Sequence, residues 1–344
     1  MTFNFVRRTA NALYRKGIVR RFFKESRWGR WGPKLYYSLF LKNLPFPPYL
    51  NIEITNACNL RCVICPNDMI PPEKLGFMEL ETFRRILAEI DAAGSSNLLF
   101  VKQGEPLLHP RLEEFFQALR ATRNRQNVLI VTNGTTLTEE RTKLLVEHQV
   151  DELNVSVDSL NPDVFRKIRG FPLKTVLDNI DRVRQIKREA RSPLPRLSVN
   201  VVVMRDNISE IRAIRRHFKE IGVEITLQKY NQGFTGKNLG GKRWTLVPGQ
   251  SVRRYPCAHL FTNFVINWNG SVSLCCHDWN NAYVIGDIAT SGIRSLWQSA
   301  RYEFIRRAHR RAEYSKIPIC RDCPTWREEP NVFFPWQYRK AKRG

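Results

Sequence analysis

Acidic residues are in short supply in this sequence of 344 residues: 32 Asp and Glu face 56 Lys and Arg, a formal charge of +24. That imbalance points to an anionic partner: nucleic acid, a phospholipid surface or a phosphorylated substrate. None of the common nucleic-acid-binding motifs appears, so nucleic acid is set aside. Long apolar runs are lacking too, and no transmembrane helix is expected. The opening stretch MTFNFVRRTANALYRKG is basic, but it has no uninterrupted apolar region and no small-residue cleavage site, which excludes a secretory signal. Hydrophobic residues still make up 42% of the chain, enough to exclude wholesale disorder.

Cysteine is absent from residues 66–256, although the chain holds eight. Cys58, Cys62 and Cys65 precede the gap; Cys257, Cys275, Cys276, Cys320 and Cys323 follow it. Disulfide frameworks seldom leave so long a gap. With no export signal, a reducing, cytoplasmic compartment is expected, and metal or catalytic use becomes the better reading.

Residues 1–48 read as a basic leader whose one acid is Glu25. Phe3, Val6, Ala10 and Leu13 recur at helical spacing, the pattern of an amphipathic helix that packs on the core and touches lipid or phosphate, with peripheral contact at the inner membrane surface. Residues 49–235 alternate. β-rich runs at 50–55, 98–102, 127–132, 153–158, 197–203 and 225–230 are separated by helical patterns. Leu80, Phe83, Leu87 and Ile90 share one helical face; Leu112, Phe115, Phe116 and Leu119 a second; Ile208, Ile211, Ile214, Phe218 and Ile221 a third. Repeated βα units predict an α/β fold: a parallel sheet curled into a partial, TIM-like (β/α)6 barrel, with the chemistry at the C-terminal strand ends. Residues 236–252 are Gly-rich and read as a linker, 253–330 as a small cysteine-rich domain, and 331–344 as a basic tail.

The first cysteines form C-x3-C-x2-C just after the first predicted strand. Three thiolates in one loop can ligate three irons of a [4Fe–4S] cluster and leave the fourth open to a small molecule. A zinc loop or reactive thiols are the alternatives, but zinc needs a fourth ligand and no His follows nearby. This motif at the start of a βα barrel resembles the radical S-adenosylmethionine (SAM) superfamily. The resemblance implies that the open iron chelates the amino and carboxylate groups of SAM. Reductive cleavage, driven by a flavodoxin- or ferredoxin-type donor, then gives a 5′-deoxyadenosyl radical that takes a hydrogen atom from substrate. Gly104, Glu105 and Pro106 are similar to the family's GGEP motif, implied to bind the SAM amino group. Asn133, in Thr132-Asn133-Gly134, ends strand three; Ser156 and Asp158 end strand four, where methionine or ribose contacts are implied; Asn200 in strand five is a weaker match. Asp158 alone reads equally as a helix cap. The sequence departs from the family where Lys102 and Gln103 stand in place of glycine, and the Gly-rich strand-five signature is missing. Lys102 is a candidate for a direct role.

The late cysteines, with Gly270 five residues before Cys275, resemble the auxiliary-cluster extension called SPASM, in its shortened twitch form. Cys257, Cys275, Cys320 and Cys323 would then hold one closed auxiliary [4Fe–4S] cluster; a structural zinc is the alternative. A closed cluster suits electron acceptance, and the spacing looks most like a twitch-type aminocyclitol alcohol dehydrogenase. The expected reaction is oxidation of a sugar, cyclitol or related small metabolite, phosphorylated or lipid-linked in keeping with the charge. Cys276 is left over. As a hydrogen donor it would make the enzyme a redox-neutral epimerase, with His277 or Asp278 as base; as a spare thiol it would do neither. A third reading is a peptide-modifying maturase.

Overall fold

The computed structural model describes residues 44–94, 96–230, 254, 256–321 and 323. Most of the leader (1–43), the linker (236–252) and the tail (331–344) lie outside the described residues.

The alternation becomes six parallel strands: β1 (Tyr49–Ile52), β2 (Asn97–Phe100), β3 (Asn127–Thr132), β4 (Glu152–Ser156), β5 (Arg196–Val203) and β6 (Glu224–Lys229). Helices α1 (Leu80–Ala93), α2 (Leu112–Arg120), α3 (Glu139–Glu147), α4 (Pro162–Arg169), α5 (Leu173–Glu189) and α6 (Ile211–Glu220) lie between them. Period-2 alternation sorts the strand residues. Leu50, Ile52, Leu98, Phe100, Val128 and Ile130 are buried against the helices. Phe100 meets Phe83 of α1 edge-on at 5.9 Å, and Phe83 stacks on Phe115 of α2 at 4.4 Å. The opposite face is mixed, with Leu99, Leu129 and Val131 alternating with polar residues. Asn127 bonds Asn97 across β3 and β2, and Asn154 bonds Ser198 across β4 and β5. Barrels of this kind are usually filled by branched aliphatic residues on that face.

One expectation is corrected. Ile208 does not join the buried face of the last helix; it is 49% exposed in a short 3-10 turn. Glu210, at the end of that turn, accepts bonds from Ser159 Oγ, Leu160 N and Asn161 N, so the turn is pinned to the β4–α4 loop and the helix starts at Ile211. The small cysteine-rich domain is built onto the barrel sheet. Its first strand, β7 (Asn263–Ile266), follows a short α7 (His259–Thr262) and pairs in parallel with β1, Leu50 opposite Phe264. Antiparallel β8 (Ser271–Ser273) and β9 (Val284–Asp287) complete one nine-stranded sheet of order β6-β5-β4-β3-β2-β1-β7-β8-β9. Helices α8 (Ile293–Trp297), α9 (Ala300–Arg310) and α10 (Pro318–Arg321) follow, with Trp297 and Tyr302 fully buried beside Phe264. Among the described residues, no helix is long and apolar enough to cross a membrane.

Candidate active site

The chain leaves β1 into the first cysteine loop, and that loop is fixed before it reaches Cys58. Thr55 Oγ1 donates to the Gly76 carbonyl at 2.7 Å and accepts from Ala57 N at 3.0 Å. Asn56 clasps the same neighbouring segment through Lys74 O and Gly76 N, each at 2.8 Å. Glu105 N donates to Ala57 O at 2.8 Å, binding the loop to the end of β2. Gly104 is required by that approach: a Cβ there would lie 2.2 Å from the Thr55 carbonyl oxygen.

Glu105 is fully inside the protein. Its carboxylate accepts from Thr132 Oγ1 at 2.8 Å, Asn133 N at 2.6 Å and Leu107 N at 3.1 Å. Burial pushes this carboxyl up, and the three bonds oppose that. They fill three of its roughly four acceptor positions, so the group expected to face the SAM amino group chiefly holds two strand ends together. Pro106 opens the 3-10 turn Pro106–Leu108 that supplies one of the donors. Asn133, placed by Glu105, turns its Nδ2 to the Cys58 sulfur at 3.8 Å and to Asn59 Oδ1 at 2.9 Å.

Asp158 has a partner that the sequence did not reveal. Its carboxylate is 2.6 Å from Arg169 Nε and accepts from Val202 N at 2.8 Å. Arg169 ends α4, a helix capped at its start by the Asn161 side chain and closed by Gly170 at φ 70°. Its guanidinium reaches the Cys62 sulfur at 3.9 Å. Burial works against this cation, but Asp158 and Cys62 outweigh it and hold the guanidinium above its ordinary range. The α4 end also docks the loop directly, since Val63 N donates to Ile168 O at 3.0 Å. Asp158, expected where methionine or ribose contacts are implied, thus also anchors the end of α4. Ser156 and Asn200 stand opposite each other on β4 and β5, and Asn200 Oδ1 has no hydrogen-bond partner among the described residues.

None of the eight cysteines forms a disulfide. Burial pushes the Cys58 thiol up to about 12, with the charges of Glu105, Cys62 and Cys65 adding to it. A buried thiol with two others in the same loop suits an iron cluster, because the metal supplies the missing positive charge. The same holds at the second set. Burial pushes Cys257 up to about 12, with Cys275 and Cys323 contributing; Cys320 is raised by burial and then by Cys257, Cys275 and Cys323. The charges of Cys275 and Cys323 thus reach both Cys257 and Cys320. His309 Nδ1 accepts from Cys257 N at 3.2 Å, and Arg254 donates to the Cys320 carbonyl while covering the Tyr314 ring at 3.9 Å. Cys276 joins Cys275 and His277, their ligand atoms all within 4.8 Å of one another. Asp278 is committed: it accepts from Ala282 N and Tyr283 N, both at 2.8 Å, and shapes the loop instead of facing it as a base.

Lys102 joins the two halves. From the end of β2 its Nζ crosses to Asn267 Oδ1 at 2.5 Å and Asn281 Oδ1 at 2.6 Å, beyond the ends of β7 and β8. Glu53, buried at the end of β1, accepts from Gln103 N at 3.3 Å; burial pushes its carboxyl up and Lys102 opposes that. Sequence reasoning missed Glu53, Arg169, Arg254 and His309. Only the position of Glu53, five residues before Cys58 on a predicted strand, carried any signal.

Residues 52–218 match the family described as Radical SAM superfamily, and residues 257–324 match the iron–sulfur cluster-binding domain SPASM. The chain is 26% identical over 315 residues to a tungsten-containing aldehyde ferredoxin oxidoreductase cofactor-modifying protein of Pyrococcus furiosus, covering 80% of this chain and 86% of the relative. It spans about half the length of the GTP 3′,8-cyclases it also matches. Among solved structures it shares its fold with BtrN in complex with AdoMet and 2-DOIA, at TM-score 0.54, 18% identity and coverage of 80% of this chain and 92% of that one. It also resembles Streptococcus suis SuiB bound to the precursor peptide SuiA, at TM-score 0.62, 14% identity and coverage of 79% and 70%. The chain is an enzyme of the radical SAM superfamily with a SPASM domain, and its cofactors are a [4Fe–4S] cluster, S-adenosylmethionine and auxiliary iron–sulfur ligation.

Proposed function

We propose that this enzyme oxidises a carbinol C–H of a sugar, cyclitol or related small metabolite. When bound, the first cluster and SAM supply the 5′-deoxyadenosyl radical that removes the hydrogen atom. The loop from Ile54 to Cys65 offers three thiols for the cluster, and Asn133 and Arg169 touch two of them. Four further thiols close the auxiliary site, which suits it to taking the second electron.

The observation that carries the small-metabolite reading is the set of polar side chains on the inward face of the barrel. At the strand ends it presents Ser156, Asn200 and Gln228, with Asn200 Oδ1 left for a partner, and beyond them lies the Lys102 corner. Hydroxyl groups both donate and accept, so a polyol satisfies such a wall where an apolar substrate leaves it unpaired. A nearly full-length relative described as a cofactor-modifying protein also fits a small-molecule substrate. The charge of +24 favours an acidic flavodoxin- or ferredoxin-type electron donor, and a basic leader favours phosphorylated or lipid-linked substrates met at an anionic membrane surface.

The test is anaerobic reconstitution of wild type and the Cys58→Ala/Cys62→Ala/Cys65→Ala variant. About eight irons are expected in wild type and about four in the variant. Dithionite should release 5′-deoxyadenosine from wild type alone. Wild type is then offered C-deuterated cyclitols, aminocyclitols and sugars. Deuterium in 5′-deoxyadenosine with a ketone product supports the reading. Solvent deuterium in an inverted product with no ketone replaces it with epimerisation, and turnover only with a precursor peptide replaces it with peptide modification.

A further inference from the structure

We propose that Lys102 is a positioning residue for the auxiliary cluster: it ties the end of β2 to the corner formed by Asn267, Ser273 and Asn281 and raises the cluster's reduction potential. The corner belongs to one short stretch, 267–281, which contains Cys275 and Cys276. Asn267 and Ser273 are both fully buried. Asn267 Nδ2 donates to Ser273 Oγ at 2.9 Å, and Ser273 Oγ donates to Asn281 Oδ1 at 2.7 Å. Lys102 Nζ completes the ring, with Ser273 Oγ at 3.4 Å as its third neighbour. The ammonium thus clamps both flanks of the segment that bears Cys275, from 165 and 179 residues away in the sequence.

The clamp also carries charge. Its three oxygen neighbours are neutral side chains, and among the described residues no carboxylate forms an ion pair with it. The acid within its field is Glu53, whose carboxyl burial pushes toward the neutral form. Ser273, the third neighbour of the ammonium, stands two residues before Cys275 in the same short stretch. An iron–sulfur cluster gains one negative charge on reduction, so a nearby half-buried cation stabilises the reduced form. An auxiliary cluster that takes an electron from substrate needs that bias. The use of the potential rests on the proposed oxidation, but the potential itself is measurable without any substrate.

The experiment is an EPR-monitored redox titration of the reconstituted holoenzyme, with the catalytic cluster as internal reference. Four proteins are compared: wild type, Lys102→Met, Lys102→Arg and Asn281→Asp. Asn281 sits at φ 55°, a conformation Asp tolerates, and Asp keeps the acceptor while adding a negative charge beside the ammonium. Lys102→Met and Asn281→Asp should move the auxiliary midpoint negative by about tenfold in the reduction equilibrium, about 59 mV for one electron. The catalytic midpoint should stay, and Lys102→Arg should restore the wild-type value. If Lys102→Met does not keep its auxiliary iron, Asn281→Asp decides alone. Unchanged auxiliary midpoints in loaded variants overturn the proposal. A wild-type auxiliary cluster that never takes an electron during turnover overturns the oxidation instead and leaves the measured shift standing.

Discussion

Asp158 and Arg169 form a buried ion pair, 2.6 Å between carboxylate and Nε, whose far side rests 3.9 Å from the Cys62 sulfur. The pair connects the end of β4, the end of α4 and the first cysteine loop. Removing the anion alone leaves a largely buried guanidinium without its counter-charge, which costs about 3 kcal/mol. Asp158→Asn should therefore lower the urea midpoint of unfolding and release iron from the first site while the auxiliary iron stays. Iron counts of about four against about eight in wild type are the readout. A variant with full iron and an unchanged midpoint would show that the pair supports neither.

Much of the site was legible in the sequence because it is local. Cys58, Cys62 and Cys65 fall in one loop, and Gly104-Glu105-Pro106 is contiguous, so spacing was enough to place them. The six strands and the buried faces of the first two barrel helices followed from period 2 and period 3.6. What escaped depends on contacts between distant residues. The pairing of Asp158 with Arg169 escaped because nothing in the segment of Asp158 announces that partner. The structural bonds of Glu105 escaped because two of its three donors come from the end of β3. The pairing of β7 with β1 spans a Gly-rich stretch with no periodicity, so the join between the cysteine-rich region and the barrel sheet left no trace in the pattern.

Gly104 offers a steric test. A methyl group there would meet the Thr55 carbonyl oxygen at 2.2 Å and the Ala57 carbonyl oxygen at 2.8 Å. Both contacts are backbone and cannot swing aside, so the cysteine loop must move away from β2. Gly104→Ala should cost about 3 kcal/mol, at the upper end of ordinary single substitutions. The first site should also lose iron before the auxiliary site does. Retention of both clusters with normal SAM cleavage would mean that the loop and the strand end are not in this contact.

His109 predicts a pH dependence of stability. Its ring faces Met78 O through Nε2 at 3.1 Å and accepts from Arg111 N through Nδ1 at 3.2 Å, which fixes the neutral Nε2–H tautomer. Burial lowers its affinity for a proton, and the Met78 carbonyl only partly offsets this. In the unfolded chain the ring protonates near 6.5. Below that pH the unfolded state binds a proton that the native state refuses, so stability is fully present above 6.5 and falls as the pH drops below it. His109→Gln should flatten part of this slope in urea titrations between pH 7 and pH 5. An unaltered slope would assign the dependence to other groups.

Cys275 and Cys276 are neighbours with different fates. Their sulfurs and a His277 nitrogen crowd within 4.8 Å, so distance alone does not choose a ligand. The Cys275 sulfur accepts the His277 N–H at 3.3 Å, the kind of bond that stabilises a metal-bound thiolate, and it shares its neighbourhood with Cys257 and Cys320. Cys275→Ala should drop the iron count from about eight to about four and abolish substrate oxidation, while dithionite-driven cleavage of SAM survives. Cys276→Ala should keep about eight irons and leave ketone formation intact. If Cys276→Ala instead keeps its iron but stops turnover, and wild-type product carries solvent deuterium at one carbon, the thiol is the hydrogen donor and the net reaction is epimerisation. If Cys276→Ala loses the auxiliary iron and Cys275→Ala does not, the ligand and the spare exchange places, and the closed four-thiol site is built on Cys276.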